Sequence, residues 1–393
     1  MLNTPFSPWP SFSEEEANAV RDVILSNKVN YWTGQECREF EKEFAVWSGV
    51  SHAVALANGT VALDVALKAL DIGMGDEVIV TSRTFLASVS SIVNAGAVPV
   101  FADVDSDTQN ITAETIAAVL TSRTKAVICV HLAGWPCDMN PIMALAAQHD
   151  FKVIEDCAQA HGAQYNGRSV GSIGHIGAWS FCQDKIMTTG GEGGMATTND
   201  RELWSRMWSY KDHGKSWEAV YERQHAPGFR WLHESFGTNW RMLEMQAVIG
   251  RIQLRRMGEW QSRRLENAQK IWSCARGLAG LRVPEVPEQI THAAYKCYVF
   301  VEADTLREGW TRDHILSEIS ARGVPCFSGS CSEVYLEKAF DGTGWRPEAA
   351  LPIARRLGEE SLMFLVHPTL TTDELDKTCA VLSDVMKLAT GQS

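Results

Sequence analysis

No two of the ten cysteines are spaced C-x-x-C. A zinc framework needs such pairs, and a disulfide scaffold needs a short chain dense in cysteine. Scattered free thiols, buried or half-buried in a reducing cytoplasm, are therefore expected. Long apolar runs are also missing. The opening MLNTPFSPWPSFSEEEANAV does not pass from a basic segment to an apolar one, and no later run is long enough to span a bilayer. Neither a signal peptide nor a transmembrane helix is expected. Positive charge is in deficit: 36 Lys+Arg against 48 Asp+Glu give a formal net charge of -12. That argues against a nucleic-acid surface and admits an anionic small molecule only where a few cations are focused. No P-loop occurs, and Gly171, Gly174 and Gly177 are spaced G-x-x-G-x-x-G, not the dinucleotide-binding G-x-G-x-x-G. His233-Glu234 lacks the second histidine of a zinc-protease helix. Nicotinamide and metalloprotease readings fall, and no metal is expected.

What is present is 393 residues, more than one core usually serves, with 45% hydrophobic content that can build a large buried sheet. Two units are expected: 1–250, a large α/β cofactor-binding domain preceded by an N-terminal arm, and 251–393, a smaller α+β domain. Pro5, Pro8 and Pro10 mark Met1 to Ser11 as an extended arm. Ser13 with Glu16 forms a capping box that opens a helix, and a second amphipathic helix runs through Phe40, Phe44 and Trp47 to Gly49. Short apolar runs at His52, Glu77, Val98, Lys125, Lys152, Ala178 and Gly194 alternate with helical patterns. They predict an α/β fold with a mostly parallel sheet of about seven strands flanked by helices. Beyond Asn199 come a helix from Arg201, an irregular stretch to Phe236, and a helical pattern of roughly forty residues from Met242 to about Gly280, read as a connector between the two units. Tyr298 to Glu302 and Ser361 to Val366 read as strands, Arg312 to Arg322 and Asp373 to Leu388 as helices.

The chemistry concentrates between Phe151 and Asn199. Asp156 ends one apolar run, Lys185 lies just past another, and Gly190, Gly191, Gly193 and Gly194 follow. Parallel sheets place ligands in the crevice outside their strand ends, so this acid and this amine face one crevice. Pyridoxal 5'-phosphate chemistry needs both groups: a neutral lysine amine to attack a carbonyl, and an ionised carboxylate to keep a ring nitrogen protonated. Asn58-Gly59-Thr60, between a strand and a helix, forms a possible phosphate cradle, though such triplets are usually plain turns and caps. Phe85 reads first as a core aromatic, with a stacking platform for a flat ring as its functional alternative.

The blocks VIEDCAQAHGA, SFCQDKIMTTGGEGG, LANGTVALDVALKALDIGMGDEVIV and NWRMLEMQAVIGRIQL, in order from about Trp32 to His367, resemble the sugar-nucleotide aminotransferases of the DegT/StrS type. The resemblance implies the fold-type I pyridoxal phosphate architecture and a homodimer with active sites at the subunit interface. It implies Lys185 as the covalent lysine, Asp156 as partner of the pyridine nitrogen, and Gln159 near the phenolic oxygen. Gly59, Thr60 and Ser180 would hold the phosphate, Phe85 would stack on the ring, and Asn239 would reach the phosphate from the neighbouring subunit, with Arg241 a possible contact. The implied reaction moves an amino group from an amino acid, glutamate, to a keto sugar on a nucleoside diphosphate. Lys211, His213, Lys215, Arg230 and Lys296 are the candidate diphosphate cations. Dehydratase relatives carry histidine at the position of Lys185, which disfavours that alternative. A pyridoxal-binding regulator, the other, lacks any basic arm or helix-turn-helix extension.

Overall fold

The computed structural model describes residues 5–391. Seven apolar runs pair into one sheet: β1 (His52–Leu56), β2 (Glu77–Thr81), β3 (Val98–Ala102), β4 (Thr124–Val130), β5 (Lys152–Asp156), β6 (Ile176–Ser180) and β7 (Gly194–Thr198). Their spatial order is β1-β7-β6-β5-β4-β2-β3. The pairs among β2 to β6 are parallel, and β7 runs against both its neighbours. β2, β6 and β7 are buried along their whole length, as a sheet covered on both faces requires. The sixth strand starts two residues before the apolar run read from Ala178. Gly177 hides its beginning, and it stops at Ser180, whose Oγ accepts the Cys182 N–H at 3.3 Å as the chain turns away.

Helices α2 (Glu36–Ser48), α3 (Gly59–Ala69) and α4 (Ala87–Asn94) pack on the sheet, and α1 (Glu14–Leu25) lies against the long helix Glu244–Arg276. α1 is opened by the Ser13/Glu16 capping box, and α2 ends on Gly49 in the left-handed region at φ 68. From Pro5 to Phe12 the arm holds no helix or strand; Met1–Thr4 lie outside the described residues. The ten cysteines include no disulfide, and most are buried. Among the described residues no helix is long and apolar enough to cross a membrane.

The connector is a single 33-residue helix, Glu244–Arg276, shorter than the roughly forty residues of the sequence pattern because the chain leaves the helix at Gly277. Ala247, Leu254, Met257 and Trp260 pack with Phe40, Phe44, Trp179 and Phe181 beside the large sheet. Ala268, Ile271, Trp272 and Ala275 join a second core with Val299, Phe364 and Leu382. That core lines an antiparallel four-stranded sheet of Leu281–Arg282, Cys297–Val301, Ser361–Phe364 and Cys326–Phe327. We propose the division into 1–250 and 251–393 with this helix shared between the two cores. Arg83, fully buried after β2, ties them further, donating to Ser332 Oγ at 2.7 Å and Ser361 Oγ at 2.9 Å. A three-stranded sheet of two-residue pieces (Gln164–Tyr165, Arg168–Ser169, Ile290–Thr291) and the helix Pro352–Glu360 had no counterpart in the sequence reading.

One buried charge fixes the approach to β6. Glu155 is fully buried, and its carboxylate accepts the N–H groups of Gly171, Ile173 and Gly174 at 2.9, 2.8 and 2.6 Å. His131 Nε2 completes the set at 3.0 Å; its Nδ1 accepts the Cys137 N–H, which puts the ring proton on Nε2. Burial alone would raise this carboxyl, but the hydrogen bonds from His131, Gly174 and Gly171 outweigh it and hold it below 4.5. The stability it contributes is complete above its unfolded value and is lost as pH falls through the lower folded one. Glu155→Gln is expected to cost roughly 2–3 kcal/mol at neutral pH and to flatten the acid limb of stability, measured by urea unfolding at a series of pH values.

Candidate active site

The parallel strands deliver their carboxyl ends to one edge, and the sequence blocks meet there. Leu56 of β1 and Ser180 of β6 both pair with Gly194, the first residue of the antiparallel β7. The turn into α3 is so close that a Cβ on Gly59 would lie 2.5 Å from Ser180 Cβ, and one on Gly194 would overlap the Asn58 carbonyl. Asn58 spends its side chain capping Val61 N–H at 3.0 Å. The N–H groups of Gly59 and Thr60, the exposed Thr60 hydroxyl and the Ser180 hydroxyl proton then remain for a ligand. Such a helix start, with its backbone donors and dipole, suits a phosphate.

Asp156, 5% exposed at the end of β5, has one protein donor on each oxygen: Ala158 N–H at 3.1 Å on Oδ1 and Ser88 Oγ at 2.8 Å on Oδ2. Burial raises its carboxyl above the usual value, and the Ser88 and Ala158 hydrogen bonds with the Lys185 charge oppose the rise. Lys185 is half-buried, its Nζ 3.7 Å from Asp184 Oδ1 and 5.4 Å from the centre of the Tyr295 ring. Its carbonyl accepts Trp9 Nε1–H at 2.8 Å, and Trp9 itself packs edge-on against Trp260. The N-terminal arm thus braces the loop that carries the lysine.

Gln159 is oriented through its Oε1, which accepts the Ala133 N–H at 2.9 Å; its amide nitrogen has no partner among the described residues. Phe85 is 72% exposed at the end of β2, so it is not the core aromatic of the first reading and its ring is open to stacking. Glycine cradle, buried carboxylate, half-buried amine and open aromatic fit the phosphate, ring nitrogen, carbonyl and ring face of pyridoxal phosphate.

Asn239 has no contact with these groups among the hydrogen bonds of the described residues. It is exposed on a segment beside β1, where the Trp240 carbonyl accepts the Ala57 N–H. Arg241 is held at 2.6 Å by Asp212, which is fully buried and also binds Lys215 at 3.0 Å. Among the cation candidates, Lys211 must be withdrawn. Its amine is fully buried and paired with Glu41 at 2.8 Å, and its side chain lies over the Tyr31 ring, so it reaches no ligand. His213 and Arg230 are exposed.

Lys296 is better placed than its sequence position indicated. Its Nζ sits 4.6 Å from the centre of the Tyr295 ring, which Lys185 Nζ also approaches, at 5.4 Å. Burial pulls its ammonium down to about 8, Asp184 opposes, and Arg264 and Lys185 add to the fall. Sequence reasoning missed Ser88, Trp9, Tyr295 and Asp184. Tyr295 donates to Asp184 at 2.5 Å, and Asp184 is kept ionised by Lys185 and that bond against the effect of burial. Only Asp184, the neighbour of Lys185, had a signal in the sequence.

His131, Glu155 and Cys157 cluster closely enough to suggest a metal site. The Glu155 oxygens and both His131 nitrogens already serve the hydrogen bonds described above, so the cluster is a hydrogen-bonded girder.

Comparison with known proteins agrees with this chemistry. The chain is 38% identical to the GDP-perosamine synthase of Caulobacter vibrioides, over 93% of this chain and 95% of that one. It is 36% identical to a UDP-N-acetyl-3-dehydro-alpha-D-glucosamine 3-aminotransferase of Acidithiobacillus ferrooxidans, over 92% and 94%. The crystal structure of an aminotransferase from Psychrobacter cryohalolentis superposes with a TM-score of 0.96 at 66% identity, covering 98% of this chain and all of that one. With residues 10–383 matching the model of that family, the chain belongs to the DegT/DnrJ/EryC1/StrS aminotransferase family.

Proposed function

We propose that the chain transfers an amino group from glutamate to a keto sugar carried on a nucleoside diphosphate, giving an amino sugar nucleotide of the kind polysaccharide assembly consumes. The observation that carries this reading is the meeting of Lys185 and Asp156 beside the Gly59/Thr60/Ser180 cradle, in a chain of this family. Pyridoxal phosphate, when bound, supplies an electron-withdrawing ring that eases proton loss from the carbon bearing the amine. Lys185 would hold it covalently, and its Nζ, freed when the donor amine binds, would carry the proton from the donor carbon to the carbon that takes up the amine, as base and then acid. Asp156 keeps the ring nitrogen protonated through its charge. Gln159 would border the phenolic oxygen, Phe85 would cover one ring face, and Gly59, Thr60 and Ser180 would bind the phosphate. A lysine at position 185, where the dehydratase relatives carry histidine, favours transamination over sugar dehydration.

The acceptor's diphosphate meets Lys296, His213 and Arg230. The active unit is a homodimer in which Asn239 reaches the phosphate of the neighbouring site. In support of this, Phe229, Trp231 and Phe236 are 78%, 80% and 99% exposed on the stretch leading to Asn239, an aromatic surface that a second copy would cover. The enzyme works in the cytoplasm, where its free thiols stay reduced.

Glutamate with GDP-, UDP- and dTDP-linked keto sugars is expected to give an amino sugar from at least one; no amino product from any refutes the acceptor class. Borohydride treatment of the loaded enzyme followed by peptide mapping is expected to find the reduced cofactor on Lys185, and Lys185→Ala to abolish it; the label on any other residue refutes the assignment. Asp156→Ala is expected to lower kcat on the order of a hundredfold to a thousandfold, while the cofactor Kd, measured by fluorescence titration, changes far less.

A further inference from the structure

The hydroxyls in the first turns of α4 do not behave alike. Ser90 and Ser91 bond back to the helix, to the carbonyls of Ala87 and Ser88, as exposed or idle helical serines do. Ser88 instead turns outward and crosses to another element, donating to Asp156 Oδ2 at 2.8 Å while only 2% exposed. Thr84, four residues earlier in the turn that precedes α4 and 1% exposed, lies with its Oγ1 2.9 Å from the Ser88 hydroxyl. A carboxylate has no proton to give, so the Ser88 proton must lie on the Asp156 side. The proton between Thr84 and Ser88 is then Thr84's, and the three groups form a polarised chain from Thr84 through Ser88 to Asp156.

We propose that Ser88, backed by Thr84, is a positioning residue of the transamination: its hydroxyl keeps Asp156 charged and turned so that the carboxylate can partner the ring nitrogen of the cofactor. The inference rests on Asp156 as that partner and deepens the reading. Among the described residues, Lys185 from the loop after β6 and His131 after β4 bear on Asp156, and the neighbouring Cys157 thiol, pushed well up by burial and by the Glu155 and Asp156 charges, stays neutral beside it. Lys185 and His131 favour its ionised form, and so do the Ser88 and Ala158 hydrogen bonds; against them stands the burial that favours the protonated one. Of the two hydrogen bonds, the Ala158 N–H is fixed by the turn after β5, and Ser88 is the one that a side-chain change can remove.

The test uses enzyme loaded with pyridoxal phosphate labelled with 15N in the ring, read by NMR beside steady-state kinetics. Ser88→Ala is expected to move the ring-nitrogen signal toward that of an unprotonated pyridine and to lower kcat about tenfold, with the donor KM within about twofold. Ser88→Thr, which keeps the hydroxyl, is expected to restore both. If Ser88→Ala does not fold, Thr84→Val leaves Ser88 in place and removes only the donor behind it; a smaller shift in the same direction supports the chain of hydroxyls, and none overturns it. A nitrogen signal and a kcat pH profile that Ser88→Ala leaves unchanged overturn the assignment of Ser88 alone. An unprotonated ring nitrogen in the unmodified enzyme overturns it together with the role of Asp156.

Discussion

Two adjacent carboxylates at the end of β5 set the terms for everything around them. Neighbouring side chains on a strand point to opposite faces, so Glu155 and Asp156 enter different surroundings from a single stretch of backbone. A buried charge is tolerable only when its hydrogen-bonding capacity is met. Glu155 meets it with three backbone N–H groups and an imidazole, and in doing so shapes the turn that feeds β6. Asp156 is met more sparingly, with one donor per oxygen, which leaves lone pairs for a cationic partner. The first carboxylate builds the platform and the second uses it.

That economy extends to the lysine. Lys185 lies beyond β6 in a loop with no regular structure of its own, so its place depends on outside contacts. Trp9 holds its carbonyl from the N-terminal arm, while Asp184 and Tyr295 hold the flank. Residues from the beginning, middle and last third of the chain therefore converge on one lysine. The nearby Lys296 is itself enclosed, and burial draws its own ammonium down to about 8.

Much of this was legible from residue order. Seven short runs became seven strands, the central ones through the Val/Ile-rich signature that burial on both faces leaves. Asp156 and Lys185 stood out because strand ends in such sheets gather at one edge, and the capping box at Ser13 marked a helix start through chemistry confined to four residues. Other features depended on distance in space. Nothing local distinguishes Lys211, buried on Glu41, from a lysine open to solvent, and nothing local ties Ser88 to a carboxylate 68 positions away. Phe85 was ambiguous because an aromatic at a strand end looks the same whether a core or a ligand covers it. Two-residue strands carry no periodicity to read, so the sheet that joins 164–169 to 290–291 was invisible.

The helix Glu244–Arg276 contributes to both hydrophobic cores and contains no proline. The two halves of the molecule are thus mounted on one continuous rod, with no pliable tether between them. Any swing of one half against the other has to flex that rod or slide side chains along it, and severing it would strip an apolar stripe bare on each stump. The smaller half is for that reason a poor candidate for an exchangeable module: recombination at this point would have to preserve a single unbroken spiral of hydrogen bonds across the joint.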